Sequence, residues 1–514
     1  MKYFLMLIQL WVGFLPICAS YPKANIWIIP SVESPQVYRN YAQTSKVHLE
    51  MARGEVEHIQ LVFPSKVNEE YRFTFDRNLK GIQISARELK KMNGYYDALV
   101  PFKNQLKCTD TLTAVWITVQ CPSRVPVGKY HQTIKIEGSK HFTIQLDYNV
   151  HHTTIPLKSS IPITVGVENR CVAEGLNDKE ADKERQRWVD FVLSYRMTPV
   201  FGTQITPERW QYEHSFSPWA WNDKRSIRLL NDRRYSCYML PFFTLSENEL
   251  ASLLCNIQKK GKLKESLFYI WDEPAYMEDY EQIKQKVNII RKYASDARIL
   301  TTFFCGPRNG PRKGDLYAVF DYLKHHIHVA TISLAPCKGN EEEVQHIRYK
   351  VPEGIDWWSY VCWQPGGNEP NFLLQMKGIQ QRAIMWRTWK NGSQGFLYWN
   401  CNIYHKRNPF TYITDMPHGD GILIYPGDIL GRKGPIASAR LERWRDGAEE
   451  MELLRLVEKN YSKEKADTLL NIVYSSPLLF IEKAHNIPFF RKELLDQLDK
   501  TIPIDYKLRI TDFI

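Results

Sequence analysis

The segment Leu267-Phe-Tyr-Ile-Trp-Asp-Glu-Pro274 decides the fold. Five apolar or aromatic residues in a row make a strand covered on both faces, as strands of a parallel sheet are. Two carboxylates follow at once, and Pro274 stops the strand. In a barrel of parallel strands the C-terminal strand ends face the active site. Two adjacent acids at such an end are costly to bury unless they are used or paired. A competing reading makes Asp272 or Glu273 the N-cap of a helix at Glu278.

On either side of this segment, from about residue 161, strand-like runs alternate with helix-like runs. The strands are Ile163 to Val167, Thr198 to Phe201, Tyr238 to Phe243, Leu267 to Trp271, Ile299 to Phe304, Val329 to Ser333, Trp357 to Cys362 and Phe396 to Asn400. Between them, Glu278 to Ala294 carries Ile283, Val287, Ile290 and Ala294 on one helical face. Ser246-Glu-Asn-Glu249 reads as a capping box, and a further helix is expected from about Phe372 to Trp389. After a Pro/Gly-rich excursion from Gly419 to Pro435, Ser438 to Lys459 reads as the eighth helix. Eight strand-then-helix units predict a (β/α)8 TIM barrel over residues 156–460. An open doubly wound sheet fits that count less well.

Residues 21–155 read differently. Val47 to Met51 and Ile59 to Phe63 alternate, and further strand-like runs are separated by Pro126-Val-Gly128 and Glu137-Gly-Ser139. This predicts an N-terminal β-sandwich, in which Arg87 to Lys91 makes at most one helical turn. Residues 461–514 are expected to form a short helical C-terminal extension.

The first twenty residues read as a signal peptide. Lys2 supplies the positive start, Phe4 to Ile17 the apolar stretch, and Cys18-Ala19-Ser20 the small residues before cleavage. The expected mature protein is exported and begins near Tyr21. No later segment is apolar enough to span a bilayer. The nine cysteines beyond Cys18 form no Cys-x-x-Cys pair, and Cys108 and Cys121 are candidates for a disulfide. The net charge of +11 is spread along the chain, with no basic run of the kind that binds nucleic acid. The 15 Trp and 28 Tyr suit sugar stacking as well as core packing.

Two carboxylates can cleave a glycosidic bond in two ways. When one attacks the anomeric carbon, the pair faces across the sugar ring, and sequence neighbours are awkward for that. When the substrate's 2-acetamido oxygen attacks instead, one acid steadies the acetamido group and the other protonates the leaving oxygen. Both then approach from one side, which suits Asp272 and Glu273. Mutual repulsion and an apolar wall push their pKa values apart.

Asp272-Glu273-Pro274 after an aromatic strand resembles glycoside hydrolase family 123, the β-N-acetylgalactosaminidases and their relatives. Gly54-Glu-Val-Glu-His-Ile-Gln60, Gly395-Phe-Leu-Tyr-Trp399, Gly419 to Gly427 and Arg440 to Gly447 are similar to further motifs of that family, so the resemblance spans nearly all the mature chain. Glu449-Glu450 departs from its Glu-Asp. The resemblance implies a substrate-assisted retaining glycosidase that needs no cofactor or metal. Glu273 would be its acid/base and Asp272 its acetamido stabiliser. Expected sugar contacts are Trp358 and Tyr360 at the seventh strand, beside Trp357 and Trp363, and Tyr398, Trp399 and Asn400 at the eighth. Alternation places Tyr398 and Asn400 on one face and Trp399 on the other.

Arg440 and Arg445 are expected to pair with Glu442 or Glu449. His325-His-Ile-His328 precedes the sixth strand and lacks supporting ligands for a metal. Asn391-Gly-Ser393 reads as a glycosylation acceptor or as the turn before the eighth strand. Two functional alternatives stay open: a glycosidase acting on another sugar, and a non-catalytic cell-surface carbohydrate-binding protein.

Overall fold

The computed structural model describes residues 26–76, 80–206, 211–404, 409 and 419–501. The expected leader, its cleavage point and the last residues of the tail lie outside them.

The N-terminal part is two five-stranded sheets packed face to face. One runs in the order Trp27–Pro30, Glu55–Pro64, Leu112–Cys121, Gln83–Met92, Tyr95–Pro101; the other runs Lys46–Arg53, His141–Thr154, Gly128–Glu137, Glu70–Phe75, Gln105–Lys107. Leu61, Phe63 and Ile117 of the first sheet share a core with Ile134, Ile144 and Leu146 of the second. The alternate residues Val62, Ala114 and Trp116 face the other way, into the core that the helices share with the outer side of the barrel. The first sheet is therefore covered on both sides, and Glu55–Pro64 is buried almost throughout.

Arg87 to Lys91 is not helical. It lies inside the strand Gln83–Met92, paired with Leu112–Cys121 and Tyr95–Pro101. The deciding signal is Asn93-Gly94, both at positive φ (47° and 86°), the dipeptide a tight hairpin favours.

The expected barrel strands form, labelled here β1 (Ile163–Glu168), β2 (Thr198–Thr206), β3 (Tyr238–Met239), β4 (Ser266–Trp271), β5 (Arg298–Phe303), β6 (Val329–Ser333), β7 (Asp356–Val361) and β8 (Phe396–Tyr398). Parallel pairing runs β2-β1-β8-β7-β6-β5-β4-β3, with an extra antiparallel strand, Gln211–Ser215, on the free edge of β2. The barrel is nearly closed: no ladder joins β2 to β3. A Thr198–Ser236 hydroxyl contact of 2.8 Å and a 2.7 Å bond from Phe216 N–H to the Met239 carbonyl bridge that seam. Val200, Met239, Leu267, Leu300, Val329 and Trp358 fill the interior.

Helices such as Asp178–Ser194, Glu247–Lys259 and Met277–Arg291 follow the earlier strands, and four later ones shape the joint between the parts: α1 (Gly378–Lys390), α2 (Ala439–Asn460), α3 (Lys463–Leu470) and α4 (Ile487–Asp499). α1 starts six residues later than the pattern from Phe372 predicts. A Cβ on Gly378 would lie 2.4 Å from the Val32 carbonyl, so the helix begins where it abuts the sandwich. Phe372 instead packs on Tyr398 and Trp444. α2 is capped by Ser438, which accepts from Leu441 N–H at 3.0 Å.

Buried charges join the parts. His58 sits between Asp446 (2.9 Å) and Glu442 (3.1 Å). Arg491 of α4 reaches Glu55 (2.8 Å) and Glu57 (2.9 Å), and Arg382 of α1 reaches Asp446 (2.9 Å) and Glu450 (2.6 Å). Arg445 pairs with Glu442 as expected. Arg440 does not pair with Glu442 or Glu449; it binds Asp97 of the sandwich at 2.9 Å and the Phe372 and Gly419 carbonyls. A Cβ on Gly447 would meet the Arg382 carbonyl at 2.2 Å, so glycine lets α1 and α2 touch. The motifs Gly54–Gln60 and Arg440–Gly447 thus hold the sandwich against the barrel.

Cys108 and Cys121 are buried free thiols, not a disulfide. Asn391 is 1% exposed, so this tripeptide is the turn before β8 and not a glycan acceptor. His328 Nδ1 accepts from Ile299 N–H at 3.2 Å where the chain enters β6, and no cluster of metal-ligating side chains occurs among the described residues. No described helix is long and apolar enough to cross a membrane.

Candidate active site

Asp272 and Glu273 stand at the C-terminal end of β4, in the barrel mouth. Neither caps the following helix. Asp279 accepts the Ala275 and Tyr276 N–H groups there, and Asn309 accepts that of Met277. Both acids reach solvent through the cleft while protein walls surround them.

Their environments differ. Oδ1 of Asp272 accepts hydrogen bonds from the Tyr269 hydroxyl (2.7 Å) and the Thr302 hydroxyl (2.8 Å). The same Thr302 oxygen accepts from Glu273 N–H at 2.9 Å. One threonine on β5 thus fixes both acids. Among the described residues nothing bonds Oδ2 of Asp272, which leaves it open to the cleft. Burial pushes the Asp272 pKa up, and the two hydroxyls resist by favouring its ionised form.

Glu273 has φ of +45°, a left-handed backbone that residues with a Cβ rarely adopt. This turn sends the two neighbouring side chains different ways. Glu273 Oε1 accepts from the Tyr360 hydroxyl on β7. Its pKa is raised to about 7, by burial first and by the Asp272 charge second, with Tyr360 and Arg308 opposing. One acid of the pair can therefore carry a proton near neutral pH while the other is charged.

A pocket opens beside Asp272, lined by Gly166, Val167, Tyr212, His214, Tyr269, Trp399 and Asn400. His214 stacks on Tyr269 at 4.3 Å and 7°. Burial lowers its pKa to about 3, so its imidazole is neutral. Gly166 has no room for a side chain, since a Cβ would overlap the Trp399 carbonyl at 1.8 Å.

The aromatic residues picked out from sequence divide by depth and face. Trp358 and Tyr360 both point into the barrel, but Trp358 lies deep in its core, 1% exposed, over Gly395. Only Tyr360 reaches the acids. Trp357 packs outward among helices, while Trp363 is 45% exposed on the rim. Tyr398 and Trp399 do not separate cleanly as alternation predicts. Tyr398 packs outward on Phe372 and Trp444, yet both donate to Asp420 Oδ1, at 2.8 and 3.1 Å. Asn400 lines the pocket and accepts from Asn402 N–H at 2.9 Å.

Besides Tyr212 and Arg308, four residues near the acids were not found from sequence. Tyr269 lies in the quoted strand, three residues before Asp272, where its phenol looks like one more core ring. Thr302 sits in an apolar run, and His214 sits on a strand with no clear pattern. Asp420 stands between Gly419 and Gly421, both at positive φ, a weak sign of a built loop.

A nearly closed parallel barrel with two carboxylates at a strand end, one poised near neutrality beside an aromatic pocket, has the layout of a glycoside hydrolase. The family model described as glycoside hydrolase 123, catalytic domain, matches residues 183–457, more than half of the chain, and the chain belongs to that family. Among solved structures, a family 123 glycoside hydrolase from Clostridium perfringens, studied for glycolipid glycan hydrolysis, matches with a TM-score of 0.65. It is 14% identical and covers 95% of this chain and 100% of its own. A family 2 β-galacturonidase from Eisenbergiella tayi aligns over 77% of this chain and 90% of its own, at 8% identity and a TM-score of 0.33. No curated protein sequence matches.

Proposed function

We propose that this glycosidase removes a terminal β-linked N-acetylhexosamine, with N-acetylgalactosamine foremost, from a glycan by a substrate-assisted retaining mechanism. The observation that carries this reading is the unlike setting of two adjacent carboxylates on one cleft. Asp272 offers its free Oδ2 to an acetamido N–H while two hydroxyls hold Oδ1. It orients the acetamido oxygen toward the anomeric carbon and balances the positive charge that develops. Glu273, with its pKa near 7, protonates the departing oxygen and later takes a proton from water. The open Asp272 side takes the sugar, with Tyr212, His214 and Trp399 as its walls.

The Clostridium relative is described for glycolipid glycans, and we place glycolipid and oligosaccharide termini in the same substrate class for this chain. We also propose export by the Met1–Ser20 leader, with a mature start near Tyr21. N-terminal sequencing of protein recovered outside the cytoplasm tests that point.

A panel of nitrophenyl glycosides tests the specificity. Turnover is expected for β-N-acetylhexosaminides, greatest for the galacto form, and almost none for β-galactoside. Comparable turnover of β-galactoside would overturn the substrate-assisted reading. Activity on some other glycoside alone would overturn the sugar assignment.

A further inference from the structure

Glu273 gives its proton to the glycosidic oxygen, so whatever lies beyond that oxygen must sit on the Glu273 side of the cleft. The residues of that side are set by three loops. Tyr276 follows β4 and is 46% exposed; Arg308 follows β5 and is exposed; Trp363 follows β7 and is 45% exposed. The first two loops are stitched together. Arg308 N–H donates to the Ala275 carbonyl at 2.6 Å, and Met277 N–H donates to Asn309 Oδ1 at 2.8 Å. Gly310 packs so tightly on Met277 that a Cβ would lie 2.7 Å from its side chain. Arg308 is therefore held in place beside the acid.

Its charge is not neutralised locally. Its guanidinium lies 6.0 Å from the Tyr276 ring, and its polar neighbours are the Tyr276 phenol and the Cys305 thiol. The nearby cation Arg312 is paired with Asp315 and Asp321, and Glu278 is engaged by Asn309. Among the described residues Arg308 forms no salt bridge. A guanidinium with open donors presents a fork that matches carboxylate or sulfate oxygens.

Resting on the proposed roles of the two acids, we infer that Arg308 selects glycans whose leaving portion carries an anionic group, a carboxylate or a sulfate ester, next to the scissile bond. Tyr276 and Trp363 provide apolar faces for the same sugar. The Arg308 charge also opposes the rise of the Glu273 pKa and so bears on every substrate alike, whereas this contact is made only by substrates with that group and shows in the ratio between substrates.

The test uses the full chain and three disaccharides with the same β-N-acetylhexosamine. Their second sugar is neutral, a uronic acid, or sulfated. The ratio of kcat/KM for an anionic over the neutral substrate is expected to be about 10 to 100 in low salt, the range of a charge-assisted hydrogen bond. It should shrink as salt screens the pair. Arg308→Gln should bring the ratio to about one, and Arg308→Lys should restore part of it. Comparing the uronic and sulfated substrates identifies which anion is preferred. Equal wild-type rates on all three, or a ratio unchanged in Arg308→Gln, would overturn the inference. A nitrophenyl β-N-acetylhexosaminide separates the two levels. If it is cleaved but no anionic preference exists, only the Arg308 assignment falls. If it is not cleaved, the proposed function and this inference fall together.

Discussion

Tyr360 and Glu273, 87 residues apart in sequence, meet across the barrel mouth, and the tyrosine hydroxyl donates its hydrogen bond to Glu273 Oε1. The bond joins β7 to β4 over the width of the barrel. It holds the carboxyl against the strained turn that places it, with φ of +45° at Glu273. It also favours the ionised form of a group that burial and the Asp272 charge push toward protonation. The acid is thus held at about 7 by opposed effects.

Tyr360→Phe removes the opposing bond, so the Glu273 pKa rises further. A general acid works while protonated, and activity falls as pH rises through its pKa. The alkaline limb of the kcat/KM profile should therefore move to higher pH in the variant. At the same time kcat should fall roughly 10- to 100-fold, because the carboxyl loses its hold. A pH–rate profile on a substrate with a poor leaving group checks both. A limb that stays put or moves to lower pH would detach Tyr360 from the acid.

Changing the acids themselves separates their roles. Glu273→Gln removes the proton donor, and general acid catalysis is worth ~10²- to 10⁴-fold. The loss should be smallest for an activated phenolate, which departs with little protonation. Asp272→Asn removes the charge that balances the cyclic intermediate, a loss of ~10²- to 10³-fold for either kind of substrate. Kinetics with an activated aryl glycoside and a natural disaccharide distinguish them. An equal loss on both substrates in Glu273→Gln would mean the roles are wrongly assigned.

The charges between sandwich and barrel set a pH dependence of stability. His151 bonds Glu50 (2.6 Å) and Asp499 (2.9 Å), and against the burial that would lower it these partners raise its pKa to about 9. A raised histidine stabilises fully below its ordinary value of 6.5, and that contribution is lost as pH climbs through 9. Burial raises Glu57 to about 8 and Glu449 to about 7, against the arginines beside them, so each costs stability as pH climbs from the ordinary carboxylate value of 4.5 to its raised value. All three have the same sign. Denaturant melts should show stability falling by roughly 2–4 kcal/mol between about pH 6 and pH 9. His151→Gln should flatten part of that slope. Constant stability across the range would contradict the assignment.

The fold was legible because its signals are local. Apolar runs of strand length end in turn residues, and the capping box Ser246 to Glu249 forms as written. Arg87 to Lys91 misled because long charged side chains carry no clear preference; its strand depends on the hairpin turn at Asn93-Gly94 and on partners on both sides. The acids were legible because carboxylates at the end of an apolar strand conflict with burial. Their support was not. Thr302 stands beside Thr301 in an otherwise apolar strand with nothing local to tell them apart, and its reach to both acids depends on the β4–β5 register. Trp358 and Tyr360 have the same parity, and only depth in the barrel separates a core ring from a site residue. The motif Arg440 to Gly447 is legible as a signature, but not as the seam between two domains, because its partners lie hundreds of residues away.

The last prediction concerns the nucleophile. If the acetamido oxygen attacks, the 2-substituent belongs to the catalytic machinery. A β-galactoside lacking it should show almost no turnover even at saturation. A thiazoline analogue of the bicyclic intermediate should bind more tightly than substrate, since enzymes favour species that resemble the transition state. That preference should weaken in Asp272→Asn, whose amide cannot balance the charge of the ring. The rival mechanism uses a carboxylate as nucleophile, so a 2-fluoro glycoside would trap a glycosyl ester on it. The hydroxyls of Tyr269 and Thr302 fix Asp272 through Oδ1 for its part beside the acetamido group, and a 2-fluoro glycoside brings no acetamido oxygen to attack. Mass spectrometry of the enzyme after incubation with a 2-fluoro glycoside should therefore find the unmodified mass. A stable adduct on Asp272, or on any other carboxylate, would sink the substrate-assisted reading and leave a glycosidase of the ordinary double-displacement kind.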